Sequence, residues 1–380
     1  MEHSDSILKL YQLPNIDANI LNSTFDITIS EFNAQPLCSL GFNYYFHQSY
    51  EKFNNILLSQ KTEYYWIVSG YEVILSDTDR KYELINMTEK YFKKSNDCFK
   101  SVIFYKFWDI FMHTTIIENY EVHIICDDKN KNYIYSTLEL FTNNSNIKKK
   151  INIVDIDYNF CIIYLDYNFN TINAESEYFN NIVIYTFEGL SKLKNNGTLI
   201  INIGDMFTLP TIKFLMLLNC IFYNIFIYKP YYSRAIDSEK YILCKKFNKE
   251  QYNSISKKFS KCTQLIKNLK NQFVIDFMAD NPQVKEFDIF ITYVNLFISG
   301  NQHKEKNKII SYIESENYYG ADYQKYINNQ LMCVEYFTSN FYPITQEDFN
   351  KILIKNNNSL SKNNDFIINF QKTKILSYTK

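Results

Sequence analysis

Through the middle of this chain, short apolar runs alternate with helix-patterned segments, and that alternation constrains the fold more than any other feature. Glu121–Cys126, Ile151–Asp155, Phe160–Asp166, Thr198–Ile203, Ile225–Tyr228 and Tyr241–Cys244 are runs of strand length, and several close on an acid. Between the third and fourth runs, Phe179, Val183, Phe187, Leu190 and Leu193 recur at three- and four-residue spacing, giving Glu175 to Lys194 one apolar helix face. Asn195-Asn196-Gly197 should end that helix, with Gly197 in the left-handed position. Thr208-Leu209-Pro210 should open the next, because proline is tolerated in a first helical turn. Strands alternating with helices predict an α/β fold with a largely parallel sheet. The last two strands are separated only by Lys229 to Lys240, which carries no helical pattern. They are expected as an antiparallel pair at the sheet edge.

The flanks read differently. Tyr64–Val68 and Glu72–Leu75, split by Ser69-Gly70, suggest a hairpin. Beyond Asn248 the pattern is helical, over Tyr252–Phe277 and Val284–Phe297. Lys304–Lys308 reads as a solvated helix face or loop, and Asn356–Asp365 as a flexible loop. The expected organisation is an N-terminal extension over 1–100, an α/β domain over 101–247 and a helical C-terminal region over 248–380. The greasiest stretch, Phe214–Tyr228, is interrupted by Asn219 and Asn224 and is too short to span a bilayer, so no membrane association is expected. Met1-Glu2-His3-Ser4-Asp5 has neither a cationic start nor an apolar run behind it.

Composition excludes several functional classes. Seven glycines and six prolines in 380 residues leave no room for most glycine-dependent nucleotide loops, and no two glycines form a G-x-G. None of the eight cysteines forms C-x-x-C, and several sit inside apolar runs, so they read as reduced core thiols. Five histidines without an H-x-x-x-H pair predict no metal site. A reducing, cytoplasmic compartment fits. The net charge of -1 excludes a globally basic nucleic-acid binder but leaves a local basic groove open. Lys148-Lys149-Lys150 and Lys245-Lys246 are small basic patches, with solvated loops as the simpler reading and RNA contact as the other.

The stretch Asn196–Asp205, then Pro210–Lys213, Tyr228-Lys229-Pro230 and Ser233–Cys244, resembles the FtsJ-like RNA 2′-O-methyltransferases, most closely the divergent versions of large cytoplasmic DNA viruses. Ser233, Arg234, Ser238, Glu239 and Tyr241 match that family's "K-P-x-x-S-R-x-x-x-S-E-x-Y" stretch in identity and spacing. Phe104–Phe111 is similar to the helix that presents the family's first catalytic lysine. The resemblance covers about residues 100–247 and implies a Rossmann-like class I methyltransferase sheet with an antiparallel edge strand. It also implies a Lys-Asp-Lys-Glu tetrad, whose positions fall on Lys106, Asp166, Asn202 and Glu239.

The third position departs from the family. A carboxamide has no basic lone pair at neutral pH, so Asn202 can hold a ribose hydroxyl but cannot take its proton. The turn after the first strand departs too. Where the family has a glycine-rich loop for S-adenosylmethionine, this chain has Cys126-Asp127-Asp128-Lys129, whose bulk and charge should fill or block the pocket. Asp155 or Asp157 stands where relatives hold the adenosine ribose, although an acid after a strand is common. Glu239 and Arg234 could survive as an ion pair holding the edge hairpin.

The resemblance with these departures implies a methyltransferase fold without catalysis and without a cofactor. Its expected role is a stimulatory or scaffold subunit beside a larger capping or methyltransferase subunit, in a viral factory or virion. An active S-adenosylmethionine-dependent cap methyltransferase and a plain RNA-binding module, each engaging capped mRNA, are the alternatives.

Overall fold

A computed structural model describes residues 10–37 (except Asn15, Asp17 and Thr24), 48–55 (except Tyr50), 66–75, 79–114, 120–144, 151–167 and 174–343 (except Asn317), with Thr345, Glu347, Asp348 and Lys351. The chain is an α/β protein built on a seven-stranded mixed sheet. Its strands are β1 (Leu10–Gln12), β3 (Tyr120–Ile125), β4 (Ile151–Ile153), β5 (Tyr158–Ile163), β6 (Leu193–Ile203), β7 (Phe222–Tyr228) and β8 (Lys240–Phe247), in the spatial order β1-β7-β8-β6-β5-β3-β4. β4, β3, β5 and β6 are mutually parallel, whereas β8 runs antiparallel to both its neighbours, β6 and β7. The antiparallel strand is therefore interior and not at the sheet edge. The edge beyond β7 is covered by β1, whose Leu10 pairs with Tyr228.

Alternate residues of each strand enter separate cores, as the two-residue strand period requires. Leu199, Ile201, Ile242 and Cys244 face one layer, formed with α4 (Ala174–Lys192), α5 (Leu209–Ile221), α6 (Lys249–Lys267) and part of α7 (Pro282–Ser315). Ile200, Phe160, Ile162 and Leu243 face the other, formed with α1 (Asp79–Phe92), α2 (Val102–Thr114), α3 (Asp128–Asn144) and α8 (Ala321–Phe341). α6 shows how sequence dictates such a layer. The Asn248 side chain caps it by accepting from the Gln251 N–H at 3.1 Å, and Tyr252, Ile255, Phe259, Cys262 and Ile266 form its buried face.

Several expectations change. α4 ends at Lys192 and β6 begins at once, so the left-handed residue is Asn196, at φ 62°, and not Gly197. Asparagine is the other residue that tolerates this conformation. The expected hairpin over 64–75 is helical where described, at 66–68 and in a 3-10 turn over Gly70–Leu75. Residues 70–74 are buried, and a Cβ on Gly70 would come 2.6 Å from the Cys333 Sγ of α8. Tyr252–Phe277 divides into α6 and a strand, β9 (Phe273–Asp276), which pairs with β2 (Thr28–Ser30). Lys304–Lys308 lies inside α7, and Lys306 is buried instead of solvated. Asn356–Asp365 and Lys148–Lys150 lie outside the described residues.

β4 joins β5 through four residues, although the two strands lie on opposite sides of β3. Parallel strands ordinarily need a dozen or more residues to cross. The short path turns at Asp157, at φ 54°, and the His123 ring beneath it stacks on Tyr158.

Candidate functional site

The carboxyl ends of β3, β5 and β6 and the start of β8 converge on one end of the sheet, where open α/β sheets keep their ligand crevices. Lys106, in the second turn of α2, is buried there. Its Nζ lies 2.6 Å from Oε2 of Glu239, just before β8. The same carboxylate accepts from the Ser233 Oγ at 3.0 Å and from the Tyr241 hydroxyl at 3.0 Å. Burial alone would raise the Glu239 pKa, but Lys106 and then Lys229 more than offset it and hold the carboxyl below its usual value.

Lys229 completes this buried cluster. Its Nζ donates to the carbonyls of Asp237 at 2.8 Å and Glu239 at 2.9 Å and to the Ser233 Oγ at 3.3 Å. Burial pushes it down to about 7, against the pull of Glu239. On the other face, the Lys240 Nζ donates to the carbonyls of Ser238, at 2.8 Å, and Gly204, and burial pushes it down to about 8. Arg234 pairs with Glu72 at 3.6 Å and Asp237 at 3.2 Å, not with Glu239 as expected, and it lies over the Trp66 ring. Glu239 faces α2, so the nearest cation to it is Lys106.

Asn202 is fixed in place. Its Oδ1 accepts from the Leu165 N–H at 2.8 Å and from the Tyr178 hydroxyl at 2.9 Å, while its Nδ2 donates to the Leu165 carbonyl at 2.6 Å. These bonds tie the end of β5 to the end of β6 and use the carboxamide in the scaffold. Asp166, one residue beyond Leu165, is exposed. Among the described residues Lys106 forms its ion pair with Glu239 and none with Asp166.

Four tyrosines fill the space between these positions. The Tyr167 ring lies directly on Gly204, where any Cβ would collide with it, and its hydroxyl meets the Asp205 carboxylate at 3.3 Å. Tyr167 packs edge-on against Tyr178, and Tyr164 lies parallel to Tyr241. α7 closes the β6–β8 side from above: the Asn295 Nδ2 donates to the Met206 carbonyl at 2.7 Å, and the Gln302 Nε2 donates to the Ile236 carbonyl at 3.4 Å.

The turn after β3 is only Cys126 and Asp127 before α3 starts at Asp128. Asp127 caps that helix, its Oδ1 accepting from the Asn130 N–H at 3.0 Å and its Oδ2 from the Asn130 Nδ2 at 2.6 Å. The Asp127 and Asp128 side chains, expected to fill or block the pocket, are exposed. Burial first, then the carboxylates of Asp127, Asp128 and Asp166, push the Cys126 thiol up to about 12. Asp155 is exposed on the short crossover, 3.4 Å from His123.

The fit to S-adenosylmethionine is therefore poor. No glycine lets the backbone approach at this turn, and the four-residue crossover after β4 is too short to wall an adenosine pocket. Lys245, read as part of a basic patch, turns inward to donate to the His113 carbonyl at 2.8 Å. The sequence reading missed Lys229, Lys240 and Tyr167 as parts of the site. Lys229 opens the matched stretch and Lys240 lies within it, so both could have been found there, but tyrosine is too abundant in this chain for Tyr167 to stand out.

No family model matches the chain, and no curated protein aligns with it significantly. Among the described residues, no helix is long and apolar enough to cross a membrane, and no group of histidine, cysteine or acidic side chains could hold a metal ion.

Proposed function

We propose that this chain is a catalytically silent FtsJ-like 2′-O-methyltransferase fold that serves as a non-catalytic subunit, stimulatory or scaffolding, beside a larger subunit of a viral-type mRNA capping or cap-methylating apparatus. The observation that carries the reading is the 2.6 Å contact between Lys106 and Glu239, which lie 133 residues apart in sequence. Both are tetrad positions by the resemblance, and nothing in their local sequence requires them to meet. The interior antiparallel β8, fed by the Lys229–Glu239 segment, agrees with a Rossmann-like methyltransferase sheet.

Silence follows from the other side of the site. Asn202 has no proton-accepting nitrogen and is spent on Leu165 and Tyr178. The cofactor side lacks both the glycine turn and a crossover long enough to build an adenosine pocket between β4 and β5. Exposed Asp127, Asp128 and Asp166 at the rim would repel a phosphate backbone, which argues against capped RNA bound in the crevice.

Two measurements test the reading. Titration calorimetry with S-adenosylmethionine at high protein concentration should give no heat of binding; micromolar binding would revive an active enzyme. Asn202→Lys should not create methyl transfer to capped RNA, and transfer by that single variant would sink the argument. The subunit role is checked by adding the chain to a larger capping subunit from the same source: stable co-purification with raised turnover is expected, and neither occurring would remove the proposal.

A further inference from the structure

A second concave surface lies at the far ends of three helices, away from the crevice. It is an open groove of about 820 Å³ where α1, α3 and α8 terminate. Lys90, Lys93 and Lys94 line it and are all exposed. Tyr91 and Phe92, half-buried, and Tyr342 form its aromatic wall, and none of the described lining residues is acidic. The wall is rigid. Tyr91 stacks on Tyr342 with centroids 4.6 Å apart, the Tyr342 hydroxyl meets the Thr88 Oγ1 at 2.9 Å, and Phe92 packs on Trp108 and Phe99. A shallower hollow along α1 shares Met87 and Lys90 but carries Asp79 and Glu83, so the basic section stops at Lys90.

Lysines at a helix carboxyl end have an ordinary explanation, since they complement the helix dipole. That explanation would place a cation at each terminus. α3 and α8 have no basic residue in their last turns, and the lysines gather at the end of α1, where Lys93 takes a left-handed conformation at φ 53°. The concentration of charge exceeds what one helix end needs, in a chain whose net charge is -1. A basic track beside half-buried aromatic rings, without acids, is the chemistry that holds single-stranded nucleic acid: lysines meet successive phosphates while bases lie against the rings.

We infer that the groove lined by Lys90, Lys93, Lys94, Tyr91 and Phe92 binds single-stranded RNA without sequence preference. This goes beyond the proposed role of the crevice, because it gives the chain its own RNA contact on another face. It stands or falls separately from cofactor binding.

The test uses the full chain and a labelled oligouridylate of about sixteen nucleotides, read by fluorescence anisotropy across a salt series. Three phosphate contacts on a single strand predict a log–log salt slope near -2, at roughly -0.7 per contact. Substituting Lys90→Gln, Lys93→Gln and Lys94→Gln together should flatten the slope by about 2 and weaken binding on the order of 100-fold near 0.1 M salt. Lys94→Gln alone should flatten it by about 0.7. A control triple on α6, Lys257→Gln with Lys261→Gln and Lys267→Gln, removes the same charge from exposed positions and should leave binding unchanged. No binding by the wild-type chain, equal losses in the two triples, or no loss in the groove triple would each overturn the assignment. So would polyglutamate of equal charge displacing the RNA as well as unlabelled oligouridylate does, because that outcome indicates an acidic protein partner.

Discussion

On the β6–β8–β7 side of the sheet, Lys106, Lys229, Glu239 and Lys240 are buried and each has a polar partner. Lys106 meets Glu239, Lys229 meets two carbonyls and Ser233, and Lys240 meets two more carbonyls. On the β3–β5–β4 side, Asp127, Asp128, Asp155 and Asp166 are exposed, the strand–helix turn is minimal, and the crossover is four residues long. The difference has a physical cause. The first group is part of the core, so removing Lys106 or Glu239 leaves the other charge unpaired, and removing Lys229 or Lys240 leaves buried carbonyls without donors, whereas the second group is solvated and can change at little cost. Substitution is therefore cheap on the solvated half and costly on the buried half, whatever the chain does.

The sharpest way to break this comparison is to mutate one residue on each side. Lys106→Met leaves the Glu239 carboxylate buried with Ser233, Tyr241 and the neighbouring Lys229, and should cost about 3 kcal/mol or somewhat more in urea denaturation. Removing both partners, in Lys106→Met with Glu239→Leu, should recover much of that loss. Asp166→Ala, on the solvated side, should stay within about 0.5 kcal/mol of wild type. Comparable losses for Lys106→Met and Asp166→Ala would erase the distinction between the halves.

A pH series sharpens it further. Burial lowers Lys229 from an ordinary 10.5 to about 7, with Glu239, Lys240, Asp237 and Lys106 as its charged neighbours. Between those values the unfolded chain holds a proton that the folded chain does not, so stability rises with pH, by at most about 1.4 kcal/mol per unit from this group. The window is pH 7 to 9. Above it the thiols of Cys98, Cys126, Cys161, Cys244, Cys262 and Cys333, raised by burial from 9.0, oppose the rise as the unfolded chain loses its thiol protons. Lys240 and Lys306, both lowered to about 8, add slopes of the same sign, so the quantity to measure is the difference between wild type and Lys229→Met. The variant should show the shallower rise, and parallel curves would mean that Lys229 titrates as a solvated lysine.

Which of these features the sequence announced depends on range. The strands and their alternation with helices were legible because apolar periodicity is local: β3, β5 and the end of β6 lie where their apolar runs stand. The insertion of β8 between β6 and β7 was not legible, because strand order follows from pairing across the sheet and a short connection is equally compatible with an edge hairpin. The buried helical turn at Gly70–Leu75 was misread for a related reason, since a segment covered on all sides shows no alternation. At the site, the carboxamide at position 202 could be read from one letter. The way in which Asn202 is held, by a backbone segment of another strand and by Tyr178, could not.

The aromatic closure gives the next effect in size. Gly204→Ala places a methyl group in the plane occupied by the Tyr167 ring and should cost about 1–3 kcal/mol by overpacking. Tyr167→Phe should not relieve it, because the ring remains. Tyr167→Ala should relieve it, so the double variant should be more stable than the sum of the two single losses predicts. Additive losses in that cycle would mean that the ring can move aside and that the crevice can open.

The smallest effect tests the turn after β3, where the resemblance places a cofactor loop. Asp127→Ala removes the cap of α3 and should cost about 1 kcal/mol, whereas Asp127→Asn, which can still accept from the Asn130 N–H, should cost less. Asp127→Gly is the informative variant. Glycine is tolerated at a helix N-cap at only a few tenths of a kcal/mol, and it restores the kind of residue the resemblance associates with S-adenosylmethionine at this turn. Backbone access alone should nevertheless give no binding in calorimetry, because the four-residue crossover between β4 and β5 still builds no adenosine pocket beside it. If Asp127→Gly bound S-adenosylmethionine, the proposed lack of cofactor binding would rest on one side chain, and so would the contrast between the two halves.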